Sequence, residues 1–243
     1  MAGTLYIVAT PIGNLEDITL RAIKILKDVD IILAEDTRVT KKLIAFLNFQ
    51  FPQRRTLVTI SNFHLISYHQ YSSEKKRLDI LRYLLEGKDL AVVTDAGTPG
   101  ISDPGNELID FILRSDSSIS IVPVPGVSAV TSALSVCGFR ADKFVFLGFL
   151  PKKKRSKLFE WLKVGKFTFA FYESPHRITK TLEVIQKEFG DVWVFMAREL
   201  TKIHETLYRG KVNDILVQIS GQAVKGEIVV IVDLSNKLSS DND

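Results

Sequence analysis

Short apolar runs of strand length alternate with segments of helical periodicity along almost the whole chain. In the first half, such runs lie at 5–9, 30–34, 55–60, 89–94 and 119–122. The segments between them place apolar residues on one face of a helix, at 19–27, 40–47, 73–86 and 106–114. Ser73 is a suitable N-cap for the third of these helices, and Gly87 follows its end. This βαβα alternation predicts a largely parallel sheet flanked by helices.

The alternation resumes after the turn-rich segment Pro123-Val124-Pro125-Gly126. Helices are predicted at 127–136, 155–162, 175–189 and 212–219, and strands at 144–147, 167–172, 192–197, 205–209 and 227–234. We therefore expect an α/β protein of two α/β domains, 1–122 and 123–234, with a cofactor cleft between them. The polar end of the chain, 235–243, is expected to be a disordered tail.

The strand at 89–94 ends in a loop of small, turn-forming and acidic residues that runs from Asp95 to Gly105. Ligands of open α/β sheets bind at the carboxyl ends of strands, and glycines let backbone approach them closely. The loop matches neither the P-loop pattern nor the Gly-x-Gly-x-x-Gly fingerprint. Asp95 and Asp103 would repel a pyrophosphate but suit ammonium or hydroxyl donors. The loop predicts a cradle for a small molecule, the alternative being turn chemistry alone.

Composition bounds the kind of protein. The longest apolar stretches, such as 228–232, are far shorter than the roughly 20 residues that span a bilayer. The first residues lack the features of a signal peptide, so we expect a cytoplasmic protein without a membrane partner. One cysteine, Cys137, excludes an internal disulfide and a thiolate metal cluster. The four histidines lack zinc-ligand spacing, and we expect no metal.

Positive charge is concentrated in one part of the chain. Residues 151–180 carry nine Lys and Arg against two Glu, a local net charge of +7 in a chain of net charge +4. A basic patch in an otherwise mildly acidic protein predicts a polyanionic partner. The alternative is a solvated lysine-rich loop.

Six motifs fall at strand ends or turns. They are Thr10-Pro11-Ile12-Gly13-Asn14-Leu15-Glu16-Asp17, Ala34-Glu35-Asp36-Thr37-Arg38, the loop 94–105, Pro125-Gly126-Val127-Ser128-Ala129, Phe171-Tyr172-Glu173-Ser174-Pro175-His176-Arg177 and Arg198-Glu199-Leu200-Thr201-Lys202. Taken together, they resemble the ribosomal RNA small subunit methyltransferase I family, a branch of the tetrapyrrole methylase superfamily. The resemblance extends over about 4–233.

The resemblance implies a tetrapyrrole methylase-like fold, S-adenosylmethionine as cofactor and a homodimer. It implies 2′-O-methylation of a cytidine ribose in the decoding region of 16S rRNA in the small ribosomal subunit. Carried over motif by motif, the cofactor-binding residues are Pro11, Asp95, Ala96, Gly97, Thr98, Ile101, Ser128, Ala129, Glu173 and Thr201.

Strand-end carboxylates and cations are the candidates for chemistry and for RNA binding. Glu173 and Asp36 are predicted to lie nearest the reaction, where a base would help remove the proton of a ribose hydroxyl. The alternative is that each caps the helix that follows it. Phe149 and Tyr172 are candidates for base stacking, although aromatics at strand ends commonly belong to a core. The predicted RNA-binding cations are Arg38, Lys152, Lys153, Lys154, Arg155, Arg177, Arg198 and Lys202.

Two departures from related patterns bear on the substrate. Thr98 stands where the tetrapyrrole enzymes carry an aspartate, and together with the basic run at 152–155 it favours RNA. Many members of the rRNA branch continue into a small helical domain, whereas this chain ends soon after its last strand. The alternatives are a tetrapyrrole C-methyltransferase of the precorrin type and a non-catalytic RNA-binding ribosome-assembly factor.

Overall fold

A computed structural model describes residues 1–50, 64–103, 105–153, 155–221 and 224–235, with the side chain of residue 50 left out. The chain divides into two compact units, Met1–Ser128 and Ala129–Asp243. The predicted boundary was placed a little earlier, after residue 122. The strand predicted at 55–60 lies outside the described residues, as does the disordered tail predicted at 235–243 except for Ser235.

The strands of the described part of the first unit are β1 (Thr4–Val8), β2 (Ile31–Ala34), β3 (His64–Ser67), β4 (Leu90–Val93) and β5 (Ser120–Val124), and its α-helices are α1 (Leu20–Asp28), α2 (Thr37–Gln50), α3 (Glu74–Leu85) and α4 (Gly105–Ser115). A short 3-10 helix, Leu15–Asp17, follows β1. These five strands form one sheet in the order β3-β2-β4-β1-β5, and each runs parallel to its neighbours.

Apolar residues cover both faces of this sheet because consecutive strand residues point to opposite sides. Leu5, Leu33 and Val92 pack against α3 and α4. Val8 and Ile32 on the other face pack against α1 and α2. The parallel arrangement brings the carboxyl ends of all five strands to one edge, as the alternation predicted.

The elements of the described part of the second unit are α5 (Ala129–Cys137), β6 (Phe144–Phe149), α6 (Ser156–Gly165), β7 (Thr168–Glu173), α7 (Ile178–Phe189), β8 (Trp193–Arg198), β9 (Thr206–Lys211), α8 (Val212–Ile219) and β10 (Ile228–Asp233). The strands form a mixed sheet in the order β6-β7-β10-β8-β9. β6 and β7 are parallel, whereas β10 runs antiparallel to both β7 and β8, and β9 runs antiparallel to β8.

The second sheet is also covered on both faces. Phe169, Phe171 and Val230 pack with α6, α7 and α8, while Ala170 and Phe195 pack against α5. The carboxyl ends of β6, β7 and β8 therefore meet the beginning of β10 at one edge of this sheet. The prediction of two α/β domains is confirmed.

Two local predictions differ from the structure. The helix predicted from 175 begins at Ile178, because the N–H groups of Arg177 and Ile178 both donate to the Ser174 carbonyl and form a turn first. The strand His64–Ser67 was not predicted, since its four residues include polar ends and form no apolar run.

Candidate active site

Three loops at the carboxyl edge of the first sheet are joined by hydrogen bonds. The backbones of Thr10, after β1, and Gly97, after β4, exchange N–H···O bonds of 2.9 and 3.0 Å. The buried Thr10 hydroxyl donates to the Thr94 carbonyl at 3.0 Å. The Thr98 hydroxyl donates to the Val127 carbonyl, after β5, at 3.0 Å. The loop after β4 is therefore fixed to those after β1 and β5.

The loop after β2 is joined to the same place through carboxylates. Glu35 accepts from the Thr94 hydroxyl at 2.7 Å and from the Asp95 N–H at 3.3 Å. Asp95 in turn accepts from the Asp36 N–H at 3.0 Å. Asp36 also pairs with the exposed Arg38 guanidinium, with a closest N···O distance of 2.6 Å. The Asp36 carboxylate also accepts a hydrogen bond from the Arg38 N–H in the first turn of α2. This is the contact that the helix-cap alternative for Asp36 predicts.

Left-handed backbone shapes the loop between β4 and α4. Gly97 and Gly100 have φ of +88° and +86°, and Ser102 has φ of +65°. Asp103 closes this part of the loop, since its Oδ1 accepts from the N–H groups of Gly100 and Gly105 at 2.8 and 2.7 Å. The result is a braced polar loop, consistent with a ligand cradle.

The three aspartates at this edge differ in acidity. The hydrogen bonds from Arg38 lower the pKa of Asp36 from 3.8 to about 2. Desolvation raises the pKa of Asp95, against the hydrogen bond from the Asp36 N–H, which lowers it. Desolvation also raises the pKa of Asp103, against its two backbone hydrogen bonds. Asp36 therefore holds its charge in acid more strongly than its two neighbours.

The predicted cofactor-binding residues divide between the two units. Seven lie on the loops after β1, β4 and β5 in the first unit: Pro11, Asp95, Ala96, Gly97, Thr98, Ile101 and Ser128. Pro11 and Gly97 are buried, whereas Asp95, Ala96 and Ile101 are exposed. The other three, Ala129, Glu173 and Thr201, belong to the second unit.

Glu173, the last residue of β7, is a buried carboxylate with several partners in the second unit. Its side chain is 0% exposed, and it accepts from the Thr181 hydroxyl at 2.7 Å and from the Ser174 N–H at 2.8 Å. Its Oε2 lies 3.3 Å from the Arg177 guanidinium. The capping alternative for Glu173 is wrong, because the N-cap of α7 is Arg177 and no side chain caps that helix.

Arg177 connects this carboxylate to the basic loop after β6. Its guanidinium donates to the Leu150 carbonyl at 2.9 Å. Arg155 donates from Nε to the Pro151 carbonyl, and desolvation with the nearby Arg177 charge lowers the pKa of Arg155. Lys152 and Lys153 are exposed, and Lys154 lies outside the described residues. The two arginines thus bind the loop's own backbone, whereas the two lysines face solvent.

The loop after β8 is held by a second set of ion pairs. Lys202 Nζ lies 2.9 Å from Glu199 and 3.1 Å from Glu227. The Arg198 guanidinium donates to the Thr206 hydroxyl at 3.1 Å. Glu199 and Thr201 have left-handed φ of +53° and +65°, and the Thr201 N–H donates to Glu205 at 2.6 Å. Strained non-glycine backbone of this kind is common at functional sites.

Sequence reasoning missed partners that are distant along the chain. Glu35 belonged to a recognised motif but was not assigned a role, although it accepts hydrogen bonds from both Thr94 and Asp95. Its position directly after a buried strand was the available signal. No comparable sequence signal marks Thr181. Its hydroxyl reaches Glu173 only because α7 begins at Ile178 and places Thr181 in its first turn.

Within the described ranges, His, Cys, Asp and Glu form no group of three that could hold a metal ion. In the same ranges, no helix has the length and apolar character to cross a membrane. Cys137 is buried and unpaired by a disulfide in this part of the chain.

Comparison with known proteins defines the class. The family model of tetrapyrrole (corrin/porphyrin) methylases matches residues 4–216. A cobalt precorrin-4 methyltransferase superposes with a TM-score of 0.69 at 20% identity, covering 96% of this chain and 95% of that one. A Thermus thermophilus uroporphyrin-III C-methyltransferase, complexed with S-adenyl homocysteine, gives 0.63 at 16% identity, covering 96% and 98%. These structures share the fold of this chain, which is a tetrapyrrole methylase fold.

A sequence relative narrows the class further. The ribosomal RNA small subunit methyltransferase I of Thermotoga maritima is 45% identical over 231 residues, covering 95% of this chain and 98% of the relative. The chain therefore belongs to the tetrapyrrole methylase family and, within it, to the ribosomal RNA small subunit methyltransferase I family. The resemblance noted in the sequence motifs is confirmed.

Proposed function

We propose that this chain transfers a methyl group from S-adenosylmethionine to the 2′-oxygen of a cytidine ribose in the decoding region of 16S rRNA. The observation that carries the proposal is the 45% identity to a ribosomal RNA small subunit methyltransferase I over nearly the full length of both chains. The hydrogen-bonded loops of the first unit and the exposed lysines of the second support it from the structure.

The loops after β1, β4 and β5 suit S-adenosylmethionine chemically. The cofactor carries an ammonium group and ribose hydroxyls, and the carboxylates of Asp95 and Asp103 can accept hydrogen bonds from these donors. Gly97 lets backbone approach a ligand without a side chain between them. We assign cofactor contacts to the seven first-unit residues named above, and we retain Ala129, Glu173 and Thr201 as proposed contacts from the second unit.

The cofactor, when bound, supplies a methyl group on a sulfonium. The chain must then hold the 2′-hydroxyl in line with that methyl group and receive its proton. We propose Asp95 rather than Asp36 as the group that accepts this proton. Desolvation raises the pKa of Asp95, whereas the hydrogen bonds from Arg38 lower the pKa of Asp36 to about 2. Glu173 is better suited to positioning, since its buried oxygens already accept from Ser174 and Thr181.

RNA binding is assigned mainly to the loop between β6 and α6. Lys152 and Lys153 are exposed and can contact phosphates, and we extend this role to Lys154. Arg155 and Arg177 hold the loop through backbone carbonyls. Arg38 is exposed, and the N–H groups that do not pair with Asp36 can contact phosphate. Arg198 and Lys202 would act by shaping the loop after β8, where their own ion pairs and hydrogen bonds lie.

Aromatic side chains at the end of β6 offer a stacking surface beside this loop. Phe149 is 58% exposed and packs edge-on against Tyr172 at a centroid distance of 5.6 Å.

We propose the small ribosomal subunit as the partner, a homodimer as the active form, and the cytoplasm as the location, since that is where assembling ribosomal subunits are found.

The proposal is tested by incubating the protein with methyl-labelled S-adenosylmethionine and small ribosomal subunits from cells that lack it. Incorporation of label into 16S rRNA supports the assignment. Label transferred to a precorrin instead would indicate a tetrapyrrole C-methyltransferase. Binding of subunits without any transfer of label would indicate a non-catalytic assembly factor.

A further inference from the structure

One face of α6 exposes a tryptophan that the core does not require. The helix buries Phe159 and Leu162 in the second unit. Trp161 and Val164 remain 51% and 84% exposed. Lys157, Trp161 and Val164 are spaced by four and three residues, so they share one helical face. We call this set the α6 outer face.

The turn after α6 fixes an aromatic partner for this tryptophan. Phe167 folds back so that its ring centroid lies 5.5 Å from that of Trp161. Gly165 makes room for it, since a Cβ at that position would lie 2.1 Å from the Phe167 ring. Lys166 caps the helix with a left-handed φ of +48°. The two rings are therefore held by the backbone as a pair at the end of the helix.

Lysines flank the pair along the chain. Lys157 lies one turn before Trp161, Lys166 lies just after the helix, and the basic loop with Lys152 and Lys153 leads directly into the helix. The carboxylate of Glu160 is the one acidic group in α6 itself. Exposed aromatics flanked by cations are the means by which proteins bind single-stranded RNA, stacking bases while the cations follow the phosphates.

The other tryptophan of the chain provides a contrast. Trp193 is 37% exposed, but its ring already carries the guanidinium of Arg209 at 5.2 Å and the ammonium of Lys211 at 5.1 Å. Among the ring contacts of the described residues, Trp161 has only the tilted Phe167. Its indole is thus the better surface for a base.

We propose that the α6 outer face binds single-stranded rRNA, with a base stacked on Trp161 and the neighbouring phosphates contacted by Lys157. The inference rests on the proposed function in taking RNA as the substrate. It adds a stacking position beyond the basic loop and extends the RNA path along α6.

The experiment uses tryptophan fluorescence, because the chain contains two tryptophans. Trp193→Phe leaves Trp161 as the emitter, and Trp161→Phe leaves Trp193. Each variant is titrated with an unstructured oligoribonucleotide of about 12 nucleotides, within the usual size of a single-strand site. The emission of Trp193→Phe should fall saturably as RNA is added, and that of Trp161→Phe should stay constant. Unchanged emission of Trp193→Phe at saturating RNA would overturn the proposal.

Affinity and its salt dependence separate stacking from charge. Trp161→Ala should weaken RNA binding about tenfold, with the salt slope unchanged, because the lost contact is uncharged. Lys157→Ala should reduce the salt slope by about 0.7. Circular dichroism and cofactor binding confirm that both variants are folded. If Trp161→Ala binds RNA with the Kd of the parent, the inference is contradicted. It is also contradicted if this substitution converts a parental dimer to monomers, because the α6 outer face would then be a subunit interface.

The two proposals fail in distinguishable ways. Methyl transfer to small subunits is measured on the same parental preparation. Parental transfer with no response from Trp161 rejects the α6 outer face alone. Absence of transfer to RNA, with or without quenching, rejects the proposed function and with it the biological premise of this face.

Discussion

At the scale of single residues, the same chemical group has different properties because of its neighbours. Asp36, Asp95 and Glu173 are all strand-end carboxylates, yet one is paired with Arg38, one is partly desolvated and one is buried with hydrogen-bond donors. The sequence located all three at strand ends. It could not rank them, because the partners of Glu173, such as Thr181, become neighbours only through the fold.

Asp95→Asn tests which carboxylate receives the proton. We expect kcat to fall at least about 100-fold, the usual contribution of a positioned base. Asp36→Asn is the matched control at the same sheet edge and should retain kcat within a few-fold. In the parent, activity should decrease as the pH falls through the Asp95 pKa, which lies above its ordinary 3.8, because only the ionised carboxylate accepts a proton. Equal losses in both variants would refute this ranking.

Glu173 is expected to act on stability and loop position. Glu173→Ala leaves the Arg177 charge and the Thr181 hydroxyl without their partner, and should lower the free energy of unfolding by about 3 kcal/mol. Glu173→Gln retains an acceptor and should lower it less, with kcat within about tenfold of the parent. Urea denaturation and single-turnover kinetics measure both quantities. A fully folded Glu173→Gln without turnover would instead support the catalytic role predicted for Glu173.

At the scale of elements, loops at the ends of parallel strands make the candidate site. Alternating strand and helix patterns predicted those loops, because parallel strands necessarily end at one edge. The hydrogen bonds between the loops were not predictable, since Thr10 and Gly97 are far apart in the chain and meet only after β1 and β4 have paired. The second sheet shows the same limit, because alternation did not reveal that β10 enters antiparallel between β7 and β8.

Gly97→Ala tests the cofactor cradle. Both Gly97 and Gly190 have positive φ, of +88° and +78°, and alanine should destabilise the protein at either position, the more so at Gly190, whose ψ of −160° lies in a region that essentially only glycine adopts. Only Gly97 lies in the proposed site, so only Gly97→Ala should weaken S-adenosylmethionine binding, by about tenfold. Isothermal titration calorimetry measures the affinity. Equal cofactor affinities in the two variants would argue against this loop as the cradle.

The basic loop is tested by removing two exposed charges. Lys152→Ala combined with Lys153→Ala should weaken RNA binding and reduce the salt slope by about 1.4, or 0.7 for each lost phosphate contact. Lys24→Ala combined with Lys75→Ala changes the net charge equally at exposed positions of α1 and α3. That control should bind RNA like the parent. Filter binding at several salt concentrations measures the salt slope of RNA binding for each double variant. Similar slopes for both would indicate that the basic loop is solvated and does not contact phosphates.

At the scale of the whole molecule, the two α/β units offer different chemical groups. The first unit offers a braced polar loop system with carboxylates, and the second offers exposed lysines and aromatics. The family was recognisable from the sequence because its motifs lie at strand ends, where a ligand site restricts residue type. The relative from Thermotoga maritima, matched over 98% of its length, indicates that these two units account for nearly the whole of that enzyme.

The most direct test is the identity of the methylated nucleoside. Small ribosomal subunits from cells lacking the protein are incubated with it and methyl-labelled S-adenosylmethionine, and the 16S rRNA is digested to nucleosides for mass spectrometry. We predict label in 2′-O-methylcytidine from a decoding-region fragment, and about tenfold less of it with Gly97→Ala at cofactor concentrations well below the parental Kd. Label in a base-methylated nucleoside, or in no nucleoside at all, would contradict it.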